Sequence, residues 1–513
     1  MAVKMFSSIV IGSTATELKI FELSPRKGMR EIDYVSYPLN LGADAYNEGK
    51  LDMTKVDEVC EVLNDFRRIM KSYGSEDARV VATSALREIR ADMLTRDYIE
   101  KHTGFSIEII GNAEQRLLDC KSIASESDSF EKIINSGTAI VDIGGSSIQI
   151  SVFDKNRLIT TQNIRLGKVS SREKFFPLAK NNLHFETLLT ELMEHELNGF
   201  ARLYQKDRQI KNLIVIDRGL LELLGKDQPD VNIVVVPKQE FNEAVDRILP
   251  MTPSEISSVC DMPQDLAILL TPSAIFARCL LTRLDAQDIW IPRMNLNDGL
   301  CYDYATRNHY IRQGHNFDDD IIASCRVIAK RYKSNQPHIK NMEVISLAIF
   351  DRLKKEYGLG PRERLLLQIS VILHNCGKYI SLSNVADCAY NIIMATEIIG
   401  LSYEERQIVA NIVRFNTSDF SYYRELAADT SVTREDYLVI AKLTAILRVA
   451  NALDRSHKQK VKDPTVTLKG DTLVISVNSQ DDLTLEKGTL EEKAEFFEEV
   501  FNVHPVLKQR RKL

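Results

Sequence analysis

Val10-Ile11-Gly12-Ser13-Thr14-Ala15-Thr16-Glu17-Leu18-Lys19-Ile20-Phe21-Glu22 and Asp142-Ile143-Gly144-Gly145-Ser146-Ser147-Ile148-Gln149-Ile150-Ser151-Val152-Phe153-Asp154 stand 132 residues apart and carry one pattern, Gly falling on Gly and Phe on Phe. Each copy reads as an apolar strand (Ser8 to Ile11; Thr138 to Ile143), a turn of Gly, Ser and Thr, and a second strand of alternating character, which is the pattern of a hairpin. Two copies predict two domains of the same fold.

Between the copies, the spacing of Val56, Val59, Leu63, Phe66 and Met70 predicts a helix from about Thr54, a plausible N-cap, to Gly74. A strand at Arg79 to Ala82, a helix from Ser84 and a strand at Ile107 to Ile110 follow, so strands and helices alternate in an α/β layered architecture through roughly residue 300. After about residue 305 the strands disappear: Met342, Ile345, Ile349 and Leu353 share one helical face. Further helical segments around Arg362 to His374, Tyr403 to Val413 and Tyr437 to Leu453 make an all-helical domain the expectation. The last stretch is mixed, with strands at Thr465 to Leu468 and Leu473 to Val477 and a helix at Glu491 to Phe501, and predicts a small α+β cap. The expected domains are 1–124, 125–305, 306–457 and 458–513.

Composition bounds the function. A chain of 513 residues, 44% hydrophobic and 27% charged, is long enough for three or four domains with their own cores, and 14 Pro and 22 Gly argue against disorder. Sixty-six basic against 72 acidic residues leave a net charge of −6, so a polyanion needs a local basic site and no nucleic-acid partner is expected. The eight cysteines form no CxxC pair, which speaks against a zinc ribbon or a disulfide scaffold and fits a reducing cytoplasm. Met1 to Gly12 reads as a first strand rather than a signal peptide. Thr271 and Pro272 interrupt the apolar run from Leu266 to Leu281, so the chain is expected to be soluble, with no spanning helix and no membrane partner.

Small-residue turns between strands expose successive backbone N–H groups, which together with hydroxyls can cradle a phosphate. Gly12, Ser13, Thr14 and Ala15 with Gly144, Gly145, Ser146 and Ser147 are the candidate phosphate-binding turns, and Asp142 stands where a carboxylate could hold magnesium against that phosphate. Two ordinary hairpins are the alternative, and the duplication favours the phosphate reading.

Val141-Asp142-Ile143-Gly144-Gly145-Ser146-Ser147, Ala82-Thr83-Ser84-Ala85-Leu86-Arg87, Ile110-Gly111-Asn112-Ala113-Glu114-Gln115-Arg116-Leu117 and Arg165-Leu166-Gly167 follow an order and spacing that resembles the exopolyphosphatase/guanosine pentaphosphate phosphatase (Ppx/GppA) family. The resemblance runs on through His338 to Asp351, Ile372-Leu373-His374-Asn375, Leu447 to His457 and Glu498 to Phe501, and so covers nearly the whole chain. It implies a duplicated ribonuclease-H-like (actin/Hsp70-type) α/β core with the active site between its domains, then an all-α HD-like domain and the small C-terminal cap. It also implies magnesium-dependent release of terminal phosphate from polyphosphate or guanosine pentaphosphate, with Glu114 as general base, Asp142 as metal ligand and catalytic acid, and Arg87 as a phosphate-contacting cation. Homodimerisation through the helical domain is implied by the resemblance alone, since an apolar helix face packs equally well within one chain.

The departures bear on the same chemistry. The family usually has Asp where this chain has Val10, and a third Gly followed by Ser, Thr and Glu where it has Ser146, Ser147, Ile148 and Gln149. Asp217, in Ile216-Asp217-Arg218-Gly219-Leu220, takes the place of a Gly- and Ser-rich turn and is expected to repel a polyanion. Losing one metal-facing carboxylate costs a factor of about 10² or more in rate, which Glu17 offsets only if it points into the cleft. A non-catalytic sensor of polyphosphate or guanosine tetraphosphate is therefore the rival expectation. His338 and Asp454 fit the outer metal positions of an HD phosphohydrolase, but the central pair is His374-Asn375 and Val385 to Ala389 lacks histidines, so the helical domain reads as a scaffold. The basic tail Lys508-Gln509-Arg510-Arg511-Lys512 reads as a solvated end and Trp290 as core or interface.

Overall fold

The computed structural model describes residues 3–125, 130–179, 182–206, 208–226 and 231–510. Close packing divides the chain into two units, 1–317 and 318–513. The first break in packing thus falls twelve residues beyond the expected boundary at 305, for a reason that lies in the last helix of unit 1.

The first lobe of unit 1 runs β1 (Lys4–Ile11), β2 (Ala15–Ser24), β3 (Gly28–Pro38), α1 (Leu41–Glu48), α2 (Met53–Ser72), β4 (Asp77–Ala82), α3 (Ser84–Arg87), α4 (Asp92–Thr103), β5 (Ile107–Ile109) and α5 (Asn112–Ala124). Its sheet has the order β3-β2-β1-β4-β5, antiparallel across β3-β2-β1 and parallel from β1 through β5. The helix expected from Thr54 is α2, capped by Asp52, whose side chain accepts from the Thr54 N–H at 2.8 Å. Val56, Val59, Leu63, Phe66 and Met70 form its buried face against the sheet. Each fully buried side chain of this kind contributes about 1.5–3 kcal/mol.

The second lobe runs α6 (Phe130–Ile134), β6 (Thr138–Ile143), β7 (Ile148–Asp154), β8 (Arg157–Ile164), α7 (Lys168–Phe175), α8 (Asn182–Phe200), β9 (Asn212–Ile216), α9 (Gly219–Leu223), β10 (Ile233–Pro237), α10 (Lys238–Ile248), α11 (Pro253–Cys260), α12 (Gln264–Arg283) and β11 (Asp288–Pro292). Its sheet order, β8-β7-β6-β9-β11-β10, repeats the first lobe's with one antiparallel edge strand added. The duplicated hairpins are β1-β2 and β6-β7, and the core is actin-like. α12 is long and apolar enough to cross a membrane by length and composition, contrary to the sequence expectation, but it lies across the second lobe's core with Ala274 to Ala277 buried and Pro272 inside it.

The last helix of unit 1, α13 (Leu296–Arg307), returns to the first lobe. Leu296 and Leu300 pack with Val10, Val81, Ile110 and Leu118, while Cys301 and Ala305 pack with Phe6 and Phe21. The chain therefore re-enters its first lobe before leaving unit 1, and a linear cut at 305 divides a helix that both strands of the first hairpin need.

Unit 2 contains α14 (Phe317–Arg331), α15 (Gln336–Leu353), α16 (Pro361–Leu373), α17 (Val385–Ala395), α18 (Tyr403–Phe415), α19 (Tyr423–Asp429) and α20 (Arg434–Leu453), followed by β12 (Thr465–Lys469), β13 (Thr472–Asn478), α21 (Thr484–Phe501) and β14 (His504–Arg510). α15, α16, α18 and α20 pack on one another. β14 pairs in parallel with β13, and α21 is the crossover that a parallel pair requires. Lys508 and Arg510 thus belong to a strand and not to a free tail; Arg511 and Lys512 lie outside the described residues. All eight cysteines are free and seven are buried.

Candidate active site

Both hairpin turns close in the same way. Gly12 N–H donates to Ala15 O at 2.9 Å and Gly144 N–H to Ser147 O at 3.0 Å. In each lobe the next helix start then ties to the turn: Gly42 N–H donates to Ser13 O at 2.8 Å, and Lys168 and Val169 N–H to Gly144 O and Gly145 O at 3.0 Å. All eight candidate phosphate-binding residues line one cleft of about 390 Å³ in unit 1, together with Arg87 and Asp142. The two turns meet at its floor. A Cβ added at Gly145 would lie 2.7 Å from Ser13 Cβ and 2.9 Å from the Tyr46 hydroxyl, so only glycine permits this approach.

Asp142 stands one residue before the end of β6, opposite Gln149 on β7. Its Oδ2 accepts from Gln115 Nε2 of α5 at 2.9 Å. The carboxyl keeps some surface in the cleft, yet protein crowds it on all sides, and this burial pushes it up to about 7; Lys168 opposes the shift and Asp217 reinforces it. Asp217 does not stand as a bare repulsive charge. Its Oδ2 accepts from Lys168 Nζ at 2.9 Å and Ser273 Oγ at 2.7 Å, and its Oδ1 from Gly219 N–H at 3.1 Å. The expectation that Asp217 repels a polyanion is corrected by this lysine, which follows Arg165-Leu166-Gly167 directly at the N-terminus of α7 and which sequence reasoning passed over.

Arg87 lines the cleft from the first lobe, oriented by Ile110 O at 2.7 Å and Asn112 Oδ1 at 2.6 Å. Glu114 does not share that wall: at the third position of α5 its Oε2 accepts from Gly111 N–H at 2.9 Å and closes the first helical turn. The same helix instead turns Gln115 and Asp119 to the cleft, four residues apart on one face. Asp119 is 4% exposed, and burial, then the Asp142 charge, push its carboxyl well above the usual range against the pull of Arg116. Val10 lines the cleft as the sequence implied, paired in register with Glu17. Glu17 does point inward, but it is held by neutral donors: the Tyr34 hydroxyl at 2.6 Å, Asn295 Nδ2 at 3.1 Å and Asn297 Nδ2 at 3.3 Å. Burial and this carboxylate raise the Tyr34 phenol above its ordinary range, and Arg218 lies over its ring at 4.7 Å. Met262, Leu266, Leu269 and Leu270 form an apolar wall.

In unit 2, His338, His374 and Asp454 meet as the sequence order suggested, all buried. His338 Nδ1 lies 2.7 Å from Asp454 Oδ2, its Nε2 lies 3.1 Å from His374 Nε2, and His374 Nδ1 donates to Val371 O at 2.6 Å. Gln459 N–H takes the other Asp454 oxygen at 2.8 Å, and His457 stacks on His338 with centroids 3.7 Å apart. Among the described residues no three His, Cys, Asp or Glu side chains are grouped to hold a metal ion.

The Ppx/GppA phosphatase family model matches residues 30–308, and the model of that family's domain III matches residues 322–495. Guanosine-5'-triphosphate,3'-diphosphate pyrophosphatase of Aliivibrio fischeri is 19% identical over 488 residues, 92% of each chain. The protein of that name from Aeromonas salmonicida is 21% identical over 506 residues, 95% of this chain and 94% of its own. Among solved structures, a Ppx/GppA family member from Aquifex aeolicus matches at a TM-score of 0.50 and 16% identity, covering 60% of this chain and 99% of its own. An exopolyphosphatase from Cytophaga hutchinsonii matches at 0.52 and 14%, covering 61% of this chain and all of its own.

Proposed function

The chain belongs to the Ppx/GppA phosphatase family, and from that premise we propose that its cleft hydrolyses the terminal phosphate of polyphosphate or of a guanosine pentaphosphate-type nucleotide. The observation that carries this reading is the convergence of two matching small-residue turns with Arg87, Lys168 and Asp142 on one cleft. Backbone N–H groups and hydroxyls of the turns bind the phosphate oxygens, and Arg87 offsets part of their charge, while Lys168 cancels the charge of Asp217 beside them. Phosphoryl transfer asks little else of a protein than positioning and charge stabilisation. The apolar wall from Met262 to Leu270 suits a nucleoside better than a long inorganic chain.

The family's magnesium finds compatible groups. Asp142 offers a carboxylate, and the amide Oε1 of Gln149, 3% exposed and across the hairpin from it, has no hydrogen-bond partner. Oxygen donors of this kind, with few carboxylates and room for phosphate, are what magnesium takes; bound there, it would neutralise phosphate charge. A water oxygen attacks the terminal phosphorus, the bridging P–O bond breaks, and the water's proton passes to a carboxylate. Glu114, in the first turn of α5 with its Oε2 accepting from Gly111 N–H, is the proposed acceptor.

A second reading, a sensor that closes on guanosine tetraphosphate or polyphosphate without hydrolysis, draws support from apolar Val10 and from Glu114 being engaged at its helix cap. The deciding experiment is phosphate release from long-chain polyphosphate and guanosine pentaphosphate, with and without magnesium, by wild type and Arg87→Ala. Magnesium-dependent release that falls in the variant supports the enzyme; no release from folded protein supports the sensor.

A further inference from the structure

We propose that Asp119 and Asp142 together hold a divalent cation in the cleft, with the Gln149 amide oxygen as a third protein ligand, so that α5 supplies the carboxylate that β1 lacks at Val10. The proposal rests on the phosphatase reading and adds to it Asp119, a residue that the reading does not use. Asp119 lies one helical turn beyond Gln115, and the 2.9 Å bond from Gln115 to Asp142 fixes that face of α5 toward β6. Asp119 lines the cleft at 4% exposure, and its Oδ2 accepts no hydrogen bond. Gln149 Oε1, on the strand beside Asp142, is equally buried and equally unpartnered. Two buried oxygens without donors and a third carboxylate oxygen on one wall are a poor arrangement for an empty protein, because buried acceptors are normally satisfied. A hard cation that binds oxygen satisfies them together.

The neighbouring charges do not take its place. Lys168 is committed to Asp217, whose oxygens are also taken by Ser273 and the Gly219 N–H. Arg116, three residues before Asp119 on α5, lowers the cost of the Asp119 charge from the protein side. If Asp119 served only as counter-ion to Arg116, its loss would weaken folding and leave cation binding alone.

The test is calorimetric titration of magnesium chloride into the full chain as wild type, Asp119→Asn, Asp142→Asn and Gln149→Ala, with urea unfolding of each in chelator. The expected result is binding by wild type, weakened about tenfold or more in Asp119→Asn and Asp142→Asn, with metal-free stability of Asp119→Asn unchanged or raised. Wild-type affinity in Asp119→Asn, or no binding by wild type, overturns the proposal. Phosphate release is scored separately: release with unchanged magnesium affinity in Asp119→Asn refutes the cation site alone, whereas lost affinity without release in wild type refutes the phosphatase alone.

Discussion

Acidification should weaken unit 2 selectively, and His374 sets the size of the effect. Its imidazole is 2% exposed, and burial, then the neighbouring His338, push it down to about 3 from an ordinary 6.5. The folded chain therefore binds fewer protons than the unfolded chain between those values. Stability is complete above 6.5 and falls as the pH drops toward 3, by about 1.4 kcal/mol per pH unit. Between about pH 7.5 and about pH 5 the loss from this one group comes to about 2 kcal/mol, a large share of a typical domain's 5–15 kcal/mol. His457, also lowered, adds in the same direction, with its share cut by solvent screening because it is only partly buried. The geometry supplies the reason for the low value: His374 donates through Nδ1 to Val371 O, and a proton gained at its Nε2 would put a second positive charge in a buried site 3.1 Å from the His338 ring. The assay is urea unfolding at the two pH values followed by far-ultraviolet circular dichroism and by fluorescence. The chain has one tryptophan, Trp290 in β11, so fluorescence follows unit 1 while dichroism follows both units. The dichroism midpoint should fall by about 1 M urea at an m-value of about 2 kcal/mol/M, and His374→Gln should remove most of that fall. An equal fall in His374→Gln, or none in wild type, would refute the reasoning.

Val10→Asp places a carboxylate among Val81, Ile110, Leu118, Leu296 and Leu300 and opposite Glu17; apolar burial of about 1.5 kcal/mol is lost, so the fluorescence midpoint should drop. At one magnesium concentration the cation should stabilise Val10→Asp more than it stabilises wild type, and an equal gain in both would put position 10 out of reach of the cation. Glu114→Gln keeps an acceptor for Gly111 N–H but loses the carboxylate, and phosphate release should fall by about 10² or more; unchanged release from folded protein would dismiss Glu114 as the base. Gly145→Ala forces a Cβ against Ser13 and the Tyr46 hydroxyl and should prise the turns apart, raising KM about tenfold with the lobes still folded; an unchanged KM would show that the turns need not touch.

Much of this molecule was legible in its sequence because the decisive signals are local. The turn chemistry of Gly12 and Gly144 and the alternation that follows each specify a hairpin within about a dozen residues, and repetition of that signal predicted two domains of one fold, whose sheets have matching strand orders. The helix faces of α2 and α15 were visible as three- and four-residue spacings for the same reason. β14 escaped notice because a parallel edge strand gets its register from β13 across a whole helix, and alternating Pro505, Leu507 and Gln509 carries little signal alone.

What only the tertiary structure decided is which charges meet. Lys168 and Asp217 are 49 residues apart, and Asp217 and Ser273 are 56 apart, so no motif window contains the neutralised carboxylate that they create. Glu114 and Asp119 share one helix, but its first turn consumes Glu114 as a cap while its later face delivers Asp119 to the cleft. The return of α13 to the first lobe likewise follows from the apolar surface that β1 and β2 leave uncovered. Sequence periodicity determines which side of an element is apolar. The energy of a buried charge depends on every element packed around it, and that is settled only when the whole cleft has closed.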